Sequence, residues 1–447
     1  MRKIIISNVD NECMLGDIHA VPSSVFESTA IVSFRLLWLA RAGDIVVLPR
    51  WPSPKFVEYI QEVMGTDFSK VSFIVPKIIR DSRASITSEV LLSRDVLSEV
   101  RKLLEVNCSA RWTLLPYYFT PAVARFGLKL AEDYVVSLPP FNSEGGAELL
   151  NQKTVFRKIA AGIGVSFALG VVVDNFDDLL SAVESFIGYT GTVIVKQDRS
   201  AGGDGNYAIT STDCSCFKGV TKVLLLSQVS VVDAVGVIIR EIATKGNEAL
   251  TVEVYYDSSA VIYSEYYLDT CRNVEYLNHG VMRMWPLWSG FEIPGCIPSR
   301  SQSNFIHQST KLASLASHLG YCGHFNVDAI VTDSGEVVFT EINGRTGGCT
   351  HVHVVAEHLL GSNYLNTHQI TTFNKVYVRS LSDFLDTINE NTLHFSQDTG
   401  RGVVVLSSDQ SGDVVVLELM FVGADADDVS KVESVARVLA DSIRMSY

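Results

Sequence analysis

Short β-branched runs set between longer stretches of helical periodicity constrain the first third of this chain more than any other feature. KIIIS (3–7), DIVVLP (44–49) and VSFIVP (71–76) read as strands, with helical patterns near 25–41 and from Pro54 to Met64 between them. Strands that alternate with helices have room to cross over and lie parallel, so the pattern predicts a helix-covered parallel sheet. Thr120 and Pro121 supply an N-cap and a first helical residue for a further helix ending near Tyr134. The segment after the first strand, Asn8 to Gly16, lacks G-x-G-x-x-G. Without that cradle for a pyrophosphate, a nicotinamide-dependent dehydrogenase is disfavoured.

A connection rich in Pro, Gly and Ser, PPFNSEGG (139–146), opens a region of different character. A helix ending at AAGIG (160–164), a strand FALGVVV (167–173), a helix after Asp174 and strands TVIVKQD (192–198) and NYAIT (206–210) make it α+β. A helix near 213–228 and a strand GVIIREIA (236–243) complete it. The most apolar stretch, VLLLSQVSVVDAVGVII (223–239), carries Asp233 and falls short of the ~20 residues that span a bilayer, so it reads as a buried helix followed by a strand. From Leu250 to Pro286, alternating patches such as TVEVYY and AVIYSEYY predict antiparallel sheet. A helix (about 303–319), a hairpin (324–343) and a helix (about 351–360) follow, and the strands GRGVVVLSS and DVVVLELMFVG with a helix from Asp427 to Ile443 are expected to complete a neighbouring sheet. The 447 residues allow about three units of roughly 150 residues. They are expected at 1–145, 146–242 and 243–447.

Charge and cysteine usage remove several function classes. Lys and Arg total 36 against 50 Asp and Glu, giving 36 − 50 = −14, with no basic run to meet a phosphate backbone. Nucleic acid is therefore not an expected partner. The eight cysteines contain no C-x-x-C pair, which argues against a zinc ribbon or a disulfide framework and for a reducing cytoplasm. The run Ile4–Ile6 is too brief for the apolar region of a signal peptide, and no membrane partner is expected.

The segment HFNVDAIVTDSGEVVFTEINGRTGG (324–348) is the most informative chemically. With Ser334 and Gly335 as a two-residue loop, paired positions sum to 669, so Asp328 faces Glu341 and Asn343 projects from the same face. Opposed carboxylates about 4.5–5.5 Å apart at Cβ repel unless a proton or cation separates them. Two carboxylates and an amide suit Mg2+ that takes further oxygens from water and phosphate. A second candidate, VIVKQDRSAGGDGNYAIT (193–210), places Gly202, Gly203 and Gly205 in a turn whose N–H groups can approach anionic oxygens, with Lys196 as a point charge beside them. Between the two, IIREIATKGNEALTVEV (238–254) puts Glu241 at an expected strand end and Glu248 after a polar connection.

In order and spacing, these elements resemble the ATP-grasp superfamily of carboxylate-amine ligases over roughly 145–360. NQKTVFRKIAAGIGV (151–165) looks like the helix carrying the first nucleotide-binding lysine, which would be Lys153, and Lys196 would be the second. IIREIATKGNE looks like the hinge strand, implying that Glu241 and Ile242 meet adenine and Glu248 the ribose. VDAIV and TEINGRTGG are similar to the family's magnesium strands, which makes Asp328, Glu341 and Asn343 the metal-binding positions and Arg345 a phosphate or acyl-phosphate contact. The resemblance implies an ATP-grasp fold, mixed α/β and α+β, preceded by a Rossmann-like pre-ATP-grasp domain. The length of the first domain and the tail strands look most like the group related to the pheganomycin peptide ligase, although Gly344 stands where the common family form has Pro.

The activity so implied is phosphorylation of a small carboxylate by ATP with Mg2+, or Mn2+ in its place, followed by attack of an amine or peptide to form an amide. A homodimer is compatible with it. Arg283 in HGVMRMWP is a candidate second cation at the reacting centre, and Gly347 and Gly348 are candidate N–H donors to the acyl phosphate. His351 and His353 alternate with Val and are candidates to face substrate, with a surface role at a helix start the favoured reading, and the tyrosines 255, 256, 263, 266 and 267 read as strand packing rather than a binding box. The rival readings are a phosphotransferase or carboxylase on the same scaffold and a non-catalytic nucleotide-binding protein. A nucleic-acid ligase would need a nucleotidyl-lysine site and a basic groove, for which the sequence offers no support.

Overall fold

The computed structural model describes residues 1–15, 31–77, 85–198, 205–242, 249–284 and 286–444. Its first sheet contains β1 (Arg2–Ile6), β2 (Ile45–Val47), β3 (Ser72–Ile74), β4 (Trp112–Pro116) and β5 (Val136–Ser137). All pairs are parallel and the order is β3-β2-β1-β4-β5. Ile4, Ile5 and Ile6 are completely buried, as an unbroken apolar run in a covered parallel strand requires. The strand order reverses between β1 and β4, and such a switch leaves a crevice beyond the strands' carboxyl ends. Asn8 bridges the crevice by donating to the Tyr118 carbonyl at 2.7 Å and accepting from its N–H at 3.1 Å. The expected N-cap holds, with Thr120 accepting from Val123 N at the start of helix Pro121–Ala131.

The second sheet contains β6 (Gly170–Val173), β7 (Thr192–Gln197), β8 (Asn206–Thr210), β9 (Lys222–Leu225) and β10 (Leu250–Val254), in the order β6-β10-β7-β8-β9. Here the apolar stretch 223–239 reverses the expected order: strand β9 comes first and helix Val231–Ile242 second. Ser230 Oγ accepts from Asp233 N at 3.1 Å and donates to Asp233 Oδ2 at 2.7 Å, which caps the helix start. Ala234, Val235, Ile238 and Ile242 then form one buried stripe facing helix Phe176–Thr190. Uninterrupted apolar residues hid this 3.6-residue period. β10 lies beyond the expected unit boundary at 242, yet it pairs within this second sheet.

The third sheet runs β15-β14-β11-β12-β13-β16-β18-β17, with β11 (Ser258–Leu268), β12 (Val274–Met284), β13 (Trp288–Ile293), β14 (Gly323–Thr332), β15 (Val337–Asn343), β16 (Gln369–Val378), β17 (Gly402–Ser411) and β18 (Val414–Gly423). The tail strands extend this sheet, as expected. They also anchor the first domain: Trp38 Nε1 donates to Leu406 O at 2.6 Å, and Ser407 Oγ donates to Ile31 O at 2.7 Å. Among the described residues no helix is long and apolar enough to cross a membrane.

Candidate functional site

The three sheets converge on a cavity of about 510 Å3. The crevice of the first sheet contributes Val9, Asp10 and Tyr117, the second sheet Lys196 and Glu253, and the third Asp328, Glu341 and Asn343. The hairpin carrying the acids reaches the expected pairing by an unexpected route. Its loop has three residues, closed by Thr332 N to Glu336 O at 2.9 Å and Gly335 N to Thr332 O at 2.8 Å, with Gly335 at φ 82°. The near register is accordingly Val331 with Val337 and Ala329 with Phe339. A bulge at Thr340 then shifts it by one, so Asp328 faces Glu341 and Asn326 faces Asn343. Thr340 lines the cavity beside them.

Around the acids the cations are close. Lys153 Nζ lies 3.2 Å from Glu341 Oε2, Asn343 Nδ2 donates to Asp328 Oδ2 at 3.1 Å, and Arg345 Nη2 donates to Asn343 Oδ1 at 2.9 Å. Arg345 also reaches the Tyr117 hydroxyl at 3.5 Å, across from the first domain. Burial, then the facing Glu341 charge, pushes the Asp328 carboxyl well above the usual range. Burial opposes ionisation of Glu341 as well, but Lys153, Arg345 and Lys196 hold it down at about 2. One acid of the pair thus carries the charge while its neighbour keeps a proton. A divalent cation between them would relieve that repulsion, and two carboxylates with an amide oxygen are a hard donor set of the kind Mg2+ takes. Among the described residues no group of three His, Cys, Asp or Glu side chains is placed to hold a metal, so the remaining donors would come from water and phosphate.

Lys196 closes the cavity from the second sheet, 2.6 Å from Glu253 Oε2. Glu253, which sequence reasoning passed over, also accepts from Arg157 Nη1 at 2.6 Å. The chain crosses from the second sheet to the third between Val254 and Ser258, the ends of β10 and β11, and Val254, Tyr255 and Tyr256 line the cavity there. This crossing replaces the expected hinge at Glu241 and Ile242. Those two lie on helix Val231–Ile242, where Glu241 pairs with Lys222 Nζ and accepts from Tyr207 at 2.8 Å, and Ile242 is buried in the second sheet's core. Glu248, Gly202 and Gly203 lie outside the described residues. Gly205 starts the strand return, accepting from Gln197 N at 3.0 Å, and lines the cavity.

Arg283 is turned away from the cavity. Met282 and Met284 point in, and strand alternation sends Arg283 to the opposite face, where Nη1 binds Glu433 at 2.8 and 2.9 Å and Nε binds Glu292 at 3.1 Å. Gly347 N is occupied by Thr350 Oγ1 at 2.9 Å, so it offers no hydrogen to a ligand. What Gly347 supplies is clearance: a Cβ there would sit 2.6 Å from Asn326 Oδ1. Gly348 lines the cavity and its N–H has no acceptor among the described residues. His351 and His353 are buried rather than on the surface, at 1% and 9% exposure. Tyr255, Tyr256 and Tyr263 face the cavity, and only the sheet crossing, invisible in strand periodicity, distinguishes the first two from packing residues.

The pre ATP-grasp domain family model matches residues 33–131. The whole structure is similar to an N5-carboxyaminoimidazole ribonucleotide synthetase in its ADP complex, with a TM-score of 0.57 at 11% identity, covering 99% of this chain and 97% of that one. This is an ATP-grasp fold with a pre-ATP-grasp domain. A biotin carboxylase from Campylobacter jejuni in a β,γ-ATP complex gives 0.57 at 14% identity, covering 97% of this chain and 90% of that one. The biotin carboxylase domain of Hydrogenobacter thermophilus 2-oxoglutarate carboxylase, a dimer with MgADP, ADP and bicarbonate, gives 0.54 at 11% identity, with 95% and 86% coverage. At such identities the likeness is one of fold. No curated protein sequence matches the chain.

Proposed function

We propose that this ATP-grasp chain is an ATP-dependent ligase that activates a carboxylate as an acyl phosphate and couples it to an amine, releasing ADP and phosphate. The acid is an amino acid or a related small acid, and the amine an amino acid or peptide. The observation carrying this reading is the Asp328–Glu341 pair in one cavity with Lys153, Lys196 and Arg345. Phosphoryl transfer demands positioning and charge neutralisation more than a nucleophilic side chain, and this inventory offers those.

In this reading adenine lies by the sheet crossing, between Ala168 and Ile194 on the side of the second sheet and Ile330 and Val338 of the third sheet. Lys153 and Lys196 neutralise phosphate oxygens. Asp328, Glu341 and Asn343 would hold Mg2+, which would supply charge neutralisation at the phosphates. Arg345, oriented by Asn343 and Tyr117, meets the acyl phosphate, and Gly348 N–H adds a neutral donor. Walls from all three sheets limit the water around the activated acid, which slows its hydrolysis.

The test is Mg2+-dependent ADP release over a panel of acids and amines, with product masses, in wild type and Glu341→Ala. Wild type is expected to release ADP and form an amide with at least one pair, and the variant to lose that release while keeping its fold. Full activity in Glu341→Ala would sink the metal assignment. The fold likeness to carboxylases supports a second reading, in which bicarbonate is the acid. ADP release with bicarbonate as the sole carboxylate would move the assignment there.

A further inference from the structure

One end of the cavity is built by parts of the chain that the proposed chemistry leaves unused. Trp288 and Phe291 lie on β13, three strands from the β14 that carries Asp328 and about 14 Å from it across the sheet at the backbone, while their rings reach back to the Gly348 turn, where a Cβ would sit 3.4 Å from Phe291 and 3.5 Å from Trp288. Above Trp288 sits Arg35, on the 3-10 helix Phe34–Leu39 of the first domain, its guanidinium 5.4 Å from the ring centroid. In such a helix residues three apart share a face, and Trp38 on that face is bonded to Leu406 O, which fixes how Arg35 enters.

Arg35 is nine-tenths buried, with 9% of its side chain exposed. Its Nε donates to Glu418 Oε2 of β18 at 2.7 Å, which takes one edge of the guanidinium. The terminal nitrogens donate to no described residue, and the side chain lines the cavity. Its four terminal N–H groups therefore face the cavity without an acceptor among the described residues, free to donate to water or to a ligand bound there. Trp288 packs against Phe291, and Met14, Val32 and Met282 add apolar surface to the same cavity.

We propose that Arg35 binds a substrate carboxylate that is not the one phosphorylated, borne on an apolar or aromatic body that lies along Trp288 and Phe291. The inference rests on the ligase reading for its place in the reaction, since an acid bound at the Asp328 end needs its partner, or its own second carboxylate, held at a distance. A planar guanidinium presenting its outer edge is the matched receptor for a carboxylate. Both the acid's second carboxylate and the carboxylate of an amino-acid or peptide amine have this chemistry.

The test is calorimetric titration of 3-phenylpropanoate and of its neutral amide, 3-phenylpropanamide, into the full chain saturated with MgADP. Wild type should bind the acid at least about 10-fold more tightly than the amide, and Arg35→Met should weaken the acid about 10- to 100-fold without changing the amide. Because Arg35→Met strands Glu418, the double variant Arg35→Met/Glu418→Gln, which removes both buried charges, is titrated alongside and should behave the same way. Equal affinity for acid and amide, unchanged acid binding in the variants, or no acid binding to wild type up to about 10 mM would overturn the proposal. This readout is binding, so it stands or falls separately from ADP release. In turnover, a raised KM for the acid or for the amine in the variant tells which substrate carries the anchored carboxylate.

Discussion

Glu253 offers the sharpest perturbation, because among the described residues it is the one carboxylate paired with both Lys196 of β7 and Arg157 of the helix Lys153–Ile163. Its carboxylate, 3% exposed, spans Lys196 and Arg157 at 2.6 Å each. Glu253→Gln keeps the shape and removes the charge. Breaking a buried ion pair by neutralising one partner costs about 3–5 kcal/mol. Relief exists on both sides here: Arg157 keeps the carbonyls of Ala168 at 2.9 Å and Gly170 at 2.7 Å and its seat on the Phe167 ring, and Lys196 borders a cavity that water can enter. The expected loss is therefore smaller, about 2–3 kcal/mol, and local to β6, β7 and β10. Amide hydrogen exchange reads this directly, as protection factors in those strands reduced about 30- to 150-fold while β1 to β4 keep theirs. Adding MgADP should return part of the protection, since phosphate replaces the missing carboxylate beside Lys196. Exchange in β7 and β10 within about 3-fold of wild type, or an equal loss in the first sheet, would refute the reasoning.

Gly347→Ala should lower turnover sharply with a modest stability loss of about 1–3 kcal/mol, because the new methyl displaces Asn326, whose Nδ2 holds the Arg345 carbonyl at 3.2 Å; wild-type kinetics would count against it. Glu265 is fully buried, yet His324 and Thr350 outweigh the burial and hold its carboxyl at about 2, below the ordinary 4.5. Between those pH values the unfolded chain binds a proton that the folded chain does not, so this contribution is present above about 4.5 and disappears as pH falls through 2. Glu265→Gln should flatten the acid limb of a stability-against-pH curve, and an unaltered limb would contradict the assignment. Trp38→Phe should lower stability by about 1–2 kcal/mol in a denaturant melt by leaving Leu406 O without its donor, whereas an unshifted midpoint would show that this bond does not secure the tail.

Local chemistry made much of this legible. The apolar runs of β1 and β2, the Thr120 cap and the Asp328–Glu341 pairing all follow from residues close together in sequence. The last came out by compensation, since the loop holds one residue more than expected and the Thr340 bulge shifts the register back. Where apolar residues run without a break, as at 231–242, periodicity loses its contrast, and the cap at Ser230 and Asp233 was the signal that remained. The sheet crossing at 255–257 escaped because its place depends on which sheet β10 joins, a choice made by pairing with β6 and β7 rather than by its own residues. Arg35 had no local mark at all, because its partner stands on β18.

That partner is synthesised 383 residues after Arg35. At about 5–20 residues per second, the first domain waits roughly 20 to 80 s on the ribosome with the Arg35 guanidinium and the Trp38 N–H still lacking their acceptors from the tail. The parallel sheet closes early, from strands within its own first 137 residues. Its outer helix cannot settle until β17 and β18 arrive, so the cavity's Arg35 end is completed last. A chain stopped before β17 would carry the cavity residues Lys153, Lys196, Asp328 and Glu341 while leaving an apolar flank open. Completion of the Arg35 end of the cavity therefore depends on translation having reached the tail.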